Sequence, residues 1–170
     1  MVLKVEKQMM RFTKLLRKVV DDTASKEVME AVGNQAVEII KRQARLGNDY
    51  KTGGKFKNLS DSYISKRNKY KSELDPRTRP KRSNVTATGQ LIESLKLSDI
   101  RARSVEVEAS GNRKGGSPFD SGKKTNAEVA YWVEYHGRHF LGLNDKTREQ
   151  LTRFYKRIVD AVVRRSKINK

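Results

Sequence analysis

Between Lys51 and Arg82, 11 of 32 residues are Lys or Arg and three are acidic (Asp61, Glu73 and Asp75), and the same stretch holds Gly53-Gly54 and two of the chain's three prolines. A surplus of eight positive charges is not expected inside an apolar core, because each would lose its hydration without gaining a partner. The segment is therefore expected to face water or a polyanion. The whole chain has 38 basic and 20 acidic residues, net +18, so phosphates or acidic neighbours are the natural partners.

With 170 residues, of which 35% are hydrophobic and 34% charged, one domain with a modest core and large surface is expected, better suited to an oligomer than to a compact monomer. The absence of cysteine excludes disulfides, thiolate catalysis and thiolate metal sites, and points to a reducing compartment. Met1 to Val20 is broken by basic residues and lacks the apolar run of a signal peptide or membrane span. No membrane association is expected.

Apolar spacing predicts a helix from about Leu3 to Val20 on Val5, Met9, Phe12, Leu16 and Val19, and a second from about Ser25 to Leu46 on Val28, Val32, Ala36, Ile39 and Ile40. Asp21-Asp22-Thr23 offers caps for the second, and Gly33 trades helix propensity for close packing. Gly47-Asn48-Asp49 ends it, and Tyr50 to Asn58 reads as an exposed loop. Ser60 caps a short helix reaching Tyr70, with Tyr63 and Ile64 as apolar contacts. Lys71 to Val85 has no periodicity and reads as a flexible basic arm.

Thr88 is expected to cap a helix from Gly89 to Lys96 with Leu91, Ile92 and Leu95 inward. From Leu97 to Ala109 the pattern alternates, as in a strand or hairpin with one wet face. Ser110 to Asn126, with four glycines and Pro118, reads as a long loop whose tip reaches a neighbouring subunit. Ala127 to His136 fits either a helix, with Ala127, Ala130, Tyr131 and Glu134 exposed, or a strand. His139 to Leu143 suits a buried strand or turn, and Asn144 or Asp145 caps a last helix with Leu151, Phe154, Ile158, Ala161 and Val162 inward.

No catalytic address emerges. Gly116 to Thr125 differs from a phosphate-cradling loop by one residue too many between the glycines and by Lys124 where a magnesium-binding hydroxyl must stand. His136 and His139 lie near Glu134, but Gly137 between them argues for a turn and no further ligand completes a metal shell. No metal or cofactor is assigned. Carboxylates have nearby bases, as Glu38 has Lys41 and Arg42, so no catalytic pair stands out. The residues placed at a nucleic-acid or acidic-partner surface are Lys66, Arg67, Lys69, Lys71, Arg77, Arg79, Lys81 and Arg82, with Tyr63 and Tyr70 available to stack or to pack. No sequence-reading module accompanies them, so any DNA contact would be to the backbone.

Four segments carry a resemblance: Thr52-Gly53-Gly54-Lys55-Phe56 with Leu59-Ser60 and Tyr63-Ile64; Thr88 to Leu95; Tyr131 to Gly137; and Arg138 to Asp145. In that order they resemble the virion-morphogenesis and tail-completion proteins of tailed bacteriophages, with Trp132 where the family usually has alanine and no proline near the turn. The resemblance implies an α+β fold, a small antiparallel sheet flanked by long helices with extended basic loops. It also implies a non-enzymatic homo-oligomeric ring, sixfold in expectation, in the virion neck, assembled in the host bacterial cytoplasm. There it would complete the tail or join it to the head, beside an adaptor, tail terminator or tail tube, with packaged DNA in the channel. Tyr131, Trp132, Tyr135, His139, Phe140 and Leu141 would then be packing or interface residues, with Phe140 and Leu141 in the core. The alternative from charge alone is a cytoplasmic nucleic-acid-binding protein, ribosome-associated or packaging-related, that contacts phosphates non-specifically.

Overall fold

The structure, a computed structural model, describes residues 25–78, 81, 85–119 and 122–168. The expected helix from Leu3 to Val20 and the caps at Asp21-Asp22-Thr23 lie outside the described residues. Helix α1 spans Lys26–Arg45, and the Ser25 side chain accepts the Val28 N–H, so Ser25 caps it. All five residues of the expected stripe are buried, joined by Val37 and Ala44. Ile39, 1% exposed, has the burial at which truncation to alanine costs about 2–5 kcal/mol.

The alternating stretch forms an antiparallel hairpin, β1 Leu95–Ile100 and β2 Val105–Ala109, with Leu95 opposite Ala109 and Leu97 opposite Val107. Leu95, Leu97, Val105, Val107 and Ala109 turn toward α1, while Lys96 and Glu108 pair on the wet face. Gly33 is where helix and hairpin meet most closely: a Cβ there would lie 2.8 Å from Val105 Cγ2 and 2.9 Å from Leu97 Cδ2. The helix propensity given up at Gly33 is thus exchanged for close contact.

Helix α2, Asp61–Lys69, is capped by Ser60, whose Oγ accepts the Tyr63 N–H. Helix α3 is shorter than expected, Gln90–Glu93, because the chain turns into β1 at Leu95; its cap is Gly89 with φ of 73°, not Thr88. Leu91, Ile92 and Leu95 are buried as expected. Ala127 to His136 resolves as helix α4, Asn126–Tyr135, opened by a reciprocal pair in which Thr125 Oγ1 accepts the Glu128 N–H and Glu128 Oε2 accepts the Thr125 N–H. Its inward side is Asn126, Ala130 and Val133, so Ala130, expected outside, belongs to the core.

Helix α5, Asp145–Ile168, is capped by Asn144, whose Oδ1 accepts the Thr147 N–H, and packs along α1. Leu151, Phe154, Ile158 and Val162 are half-buried and Ala161 is exposed, less inward than their spacing predicts. The hairpin occupies another side of α1 and leaves α5 a flank position. The fold is α+β: a two-stranded antiparallel sheet with long helices against it. One core cluster collects Ile40, Phe56, Ile92, Leu95, Ala130 and Phe140 from across these elements.

Two expected loops are more ordered by contacts than their composition suggests. Phe56, in the stretch read as an exposed loop, is 4% exposed because the Asn48–Lys55 bridge closes the turn and delivers its ring to the core. The basic arm is docked at Lys71 to Thr78: the Asp75 N–H donates to Ala87 O, and the buried Thr78 and Thr86 hydroxyls lie 2.7 Å apart. Two hydroxyls that satisfy each other leave no trace in an apolar pattern.

Candidate functional site

The basic residues singled out by sequence divide into four groups. Lys66, Lys69, Lys71 and Lys81 are exposed, as expected of a partner-facing surface. Arg67 is 2% exposed, contrary to the expectation that this charge-rich stretch stays out of the interior. Its guanidinium lies 5.0 Å from the Tyr63 ring centroid, so an aromatic face replaces part of the lost hydration. Arg77 is engaged within the fold: it grips Asp75 through Nε at 2.8 Å and Nη2 at 2.6 Å, and Glu93 through Nη1 at 2.8 Å. Glu93 also receives Arg45 Nη2 at 2.8 Å. The Arg77 hydrogen bond holds the Asp75 carboxyl below its ordinary range, more than its partial burial raises it. For Glu93, burial pulls upward, and the combined bonds from Arg77 and Arg45 pull it below the ordinary value. Arg79 and Arg82 lie outside the described residues.

Arg67 belongs to a cavity of about 450 Å³ between α2, the segment before α3, the Phe119 loop and α4. Two further arginines line it, Arg113 and Arg138, neither singled out by sequence. Arg113 is positioned by Asn126 Oδ1 at 3.1 Å and Thr88 Oγ1 at 3.3 Å. Asn126, 4% exposed, also donates to Ser110 O, which fastens the glycine-rich loop to the start of α4. Burial lowers the pKa of Arg138, the Tyr63 phenol opposes that, and the charge of Arg67 lowers it further. The rest of the wall mixes apolar residues, among them Leu59, Leu91, Val133 and Trp132, with Ser60 and Thr88.

Phe119 closes one side. Its ring stands edge-on between Tyr63, at 81°, and Tyr70, at 88°, so the described part of the 110–126 loop folds back onto α2 at this point. Lys66 Nζ sits 5.6 Å from the Phe119 centroid and Lys69 Nζ 5.2 Å from that of Tyr70. Of the two uses open to Tyr63 and Tyr70, stacking or packing, the structure shows packing, against cations and a ring edge.

Beside the cavity, α4 presents Tyr131, Trp132 and Tyr135, which are 72%, 50% and 76% exposed. Tyr131 and Tyr135 stack at 6.3 Å, one helical turn apart, and Trp132 lies 4.1 Å from the His136 ring. The six residues grouped as packing or interface therefore separate. Phe140 is 1% exposed in the core and Leu141 is half-buried against it, while the three α4 aromatics remain outside.

His139 belongs to a junction of different character. Asp49, 3% exposed, accepts the N–H groups of Lys51 and Thr52 on Oδ1 and that of His139 on Oδ2. Glu134 Oε1 accepts the N–H groups of Phe140 at 2.6 Å and Leu141 at 2.7 Å, and Oε2 lies 3.1 Å from His139 Nδ1. Burial, then the nearby Glu134 and Asp49 carboxylates, raise the pKa of the adjoining Tyr50. The sequence reading placed Asp49 in the stop after the second helix and Glu134 beside the histidines on an exposed face, and gave neither this role, although an aspartate before a Thr-Gly-Gly turn is a known signal for this kind of backbone capture.

Among the described residues no group of three or more His, Cys, Asp or Glu could hold a metal ion, and no helix is long and apolar enough to cross a membrane. Compared with protein-family models, curated proteins and solved structures, the chain gives no match.

Proposed function

We propose that this chain is a non-enzymatic structural component of a tailed bacteriophage, a neck protein that assembles as a ring, sixfold in the simplest case, and completes the tail or joins it to the head. The observation that carries the reading is the aromatic ridge of α4. Three large rings exposed side by side, on a chain with one small core, are the composition of a protein contact surface. A second support is the behaviour of the four segments that resemble tail-completion proteins. Phe56, Leu91, Leu95, Val133 and Phe140, one or more from each, meet in the same core cluster, so the resemblance concerns architecture and not a chemical site.

Repeating one subunit around an axis lets such a ridge meet a different surface of its neighbour and close. It also gathers the exposed Lys66, Lys69, Lys71 and Lys81 of every copy into one field, which a channel holding DNA or an acidic adaptor, terminator or tail tube would neutralise. Light scattering on the purified chain, with uptake into tailless particles, tests this. The wild type is expected to form rings, and a Tyr131→Glu, Tyr135→Glu double variant to stay monomeric and uninfective. A wild type that stays monomeric and outside the particles defeats the proposal. Those four exposed lysines favour a second reading, non-specific nucleic-acid binding by the monomer, which would appear as affinity falling steeply with salt.

A further inference from the structure

Among the described residues the sheet has two strands, so each has one edge that the other leaves open. Two backbone bonds show which groups face outward: the Ser110 N–H donates to Ser94 O at 3.2 Å beyond the open end of the hairpin, and the Arg101 N–H donates to Ser104 O at 2.8 Å at its turn. Opposed residues in an antiparallel ladder alternate between bonded and non-bonded pairs. Counted from either end, Glu106 and Glu108 turn their backbone N–H and C=O groups toward β1, while Val105 and Val107 turn theirs away from it. Among the described residues, none donates to or accepts from the backbone of either valine at that outer edge.

The two edges are not equally fit to pair. That of β1 is interrupted, because its register with β2 shifts between Leu97 and Ile100, and such a bulge is one of the devices that keep an edge from adding a strand. Strand β2 runs unbroken as Val-Glu-Val-Glu-Ala and has neither the proline nor the lysine that commonly blunts an edge. Past its end Asn126 closes the path, its N–H donating to Gly111 O and its side chain to Ser110 O. The open length is therefore Val105 to Val107, backed by α1 where Val105 sits over Gly33.

The side chains of β2 select what can pair there. Glu106 and Glu108 are exposed on the wet face of a chain with net charge +18, and no ion pair reaches Glu106 among the described residues. On the other face Val105 and Val107, with Leu97 and Ile100 of β1, are only half-buried. An added strand fits if its residues opposite the glutamates are basic and those opposite the valines are apolar. A nucleic acid would bring phosphates to the glutamates. A second copy would bring either its own β2, which sets glutamate against glutamate, or its β1, whose edge is broken.

We infer that the outer edge of β2 receives an extended segment of a partner protein in which basic and apolar residues alternate, adding a third strand to the sheet. Main-chain bonds to Val105 and Val107 would supply the affinity, and the glutamates the choice of partner. The inference goes beyond the ring reading and does not rest on it, since it uses β2 and not the aromatic residues of α4.

Full-length protein is titrated with a capped heptapeptide alternating valine and lysine. Three controls accompany it: the same peptide with glutamate for lysine, one of equal composition without alternation, and one N-methylated at alternate residues on the pairing side. Binding is read from the anisotropy of the labelled peptide and from amide hydrogen exchange of the protein. The valine-lysine peptide is expected to bind saturably and to slow exchange at Val105 and Val107 by at least about tenfold, while Glu108, already bonded across to Lys96, changes little. Each control should bind at least about fivefold more weakly, and Glu106→Lys, an exposed change that circular dichroism should not register, should weaken the valine-lysine peptide by about fivefold.

Equal binding of the N-methylated peptide, unchanged exchange at the two valines, or a preference for the glutamate peptide would each overturn the proposal. So would valine amides already protected in the free protein, since a second copy would then hold the edge. Protein that takes the peptide and stays monomeric keeps the edge and loses the ring. Rings that form while the peptide is refused keep the ring and lose the edge.

Discussion

Two polar clusters share the stretch from Trp132 to Arg138 and its turn, and they are built in opposite ways. At the Asp49–Glu134 junction, carboxylates are consumed by backbone N–H groups from residues 51, 52, 139, 140 and 141. In the cavity, three guanidiniums line a volume large enough for an external group. At this turn the acids serve as acceptors for the backbone, while the guanidiniums beside it line a hollow between helices. The difference teaches that the positive excess is not spread evenly as a solvated coat.

If that division is right, acid and base substitutions should part company in stability. Asp49→Ala leaves three N–H groups without their acceptor in a site 3% exposed and should cost about 3 kcal/mol, lowering Tm by about 6–12 °C for a domain of this size. Glu134→Ala should cost nearly as much, because Phe140 N–H loses its acceptor just where the ring enters the core. Calorimetry that found either variant within about 0.5 kcal/mol of the wild type would abolish the contrast.

Arg138→Gln is the opposing arm. Burial lowers the pKa of its guanidinium, the Tyr63 phenol opposes that and the charge of Arg67 lowers it further, so on balance the charged form is disfavoured. The expected change is under about 1 kcal/mol. A loss comparable to that of Asp49→Ala would make Arg138 a structural residue and merge the two clusters into one kind.

These particulars also mark where the sequence was readable. The α1 stripe and the hairpin were legible because their periods, three to four and two, each force a different face inward. Helix α4 was not, since Val129 to Val133 satisfies both periods. The information that decides it is the Thr125–Glu128 pair, a capping signal present in the sequence that a reading of apolar periods does not use. Lys71 to Val85 looked like a free arm because its anchors are polar: Thr78 to Thr86, Asp75 to Ala87, Arg77 to Glu93. Pattern reading registers apolar surface and not mutual satisfaction of hydroxyls and charges. The cavity was hidden for a related reason, as Arg67, Arg113 and Arg138 come from a helix, a loop and a turn far apart in the chain.

The arm's anchorage gives the smallest effect. Asp75 and Glu93 have pKa values below their ordinary 3.8 and 4.5 in the folded chain because Arg77, with Arg45 for Glu93, favours the charged forms. Carboxylates depressed in this way bind fewer protons folded than unfolded, so their contribution is complete above the ordinary values and is lost as pH falls through that range and past the folded values. Arg77 is a solvent-exposed partner, so screening keeps the contribution small. Urea midpoints should therefore fall on acidification from pH about 5 to about 3, less steeply in Arg77→Met than in the wild type, so that the small advantage of the wild type at neutrality closes as the carboxylates protonate. Parallel acid limbs would mean that Arg77 does not set these carboxylates. In that case the residue would return to the exposed lysines as part of the partner-facing surface, and the arm would be held by the Thr78–Thr86 clasp and the Asp75 N–H bond to Ala87.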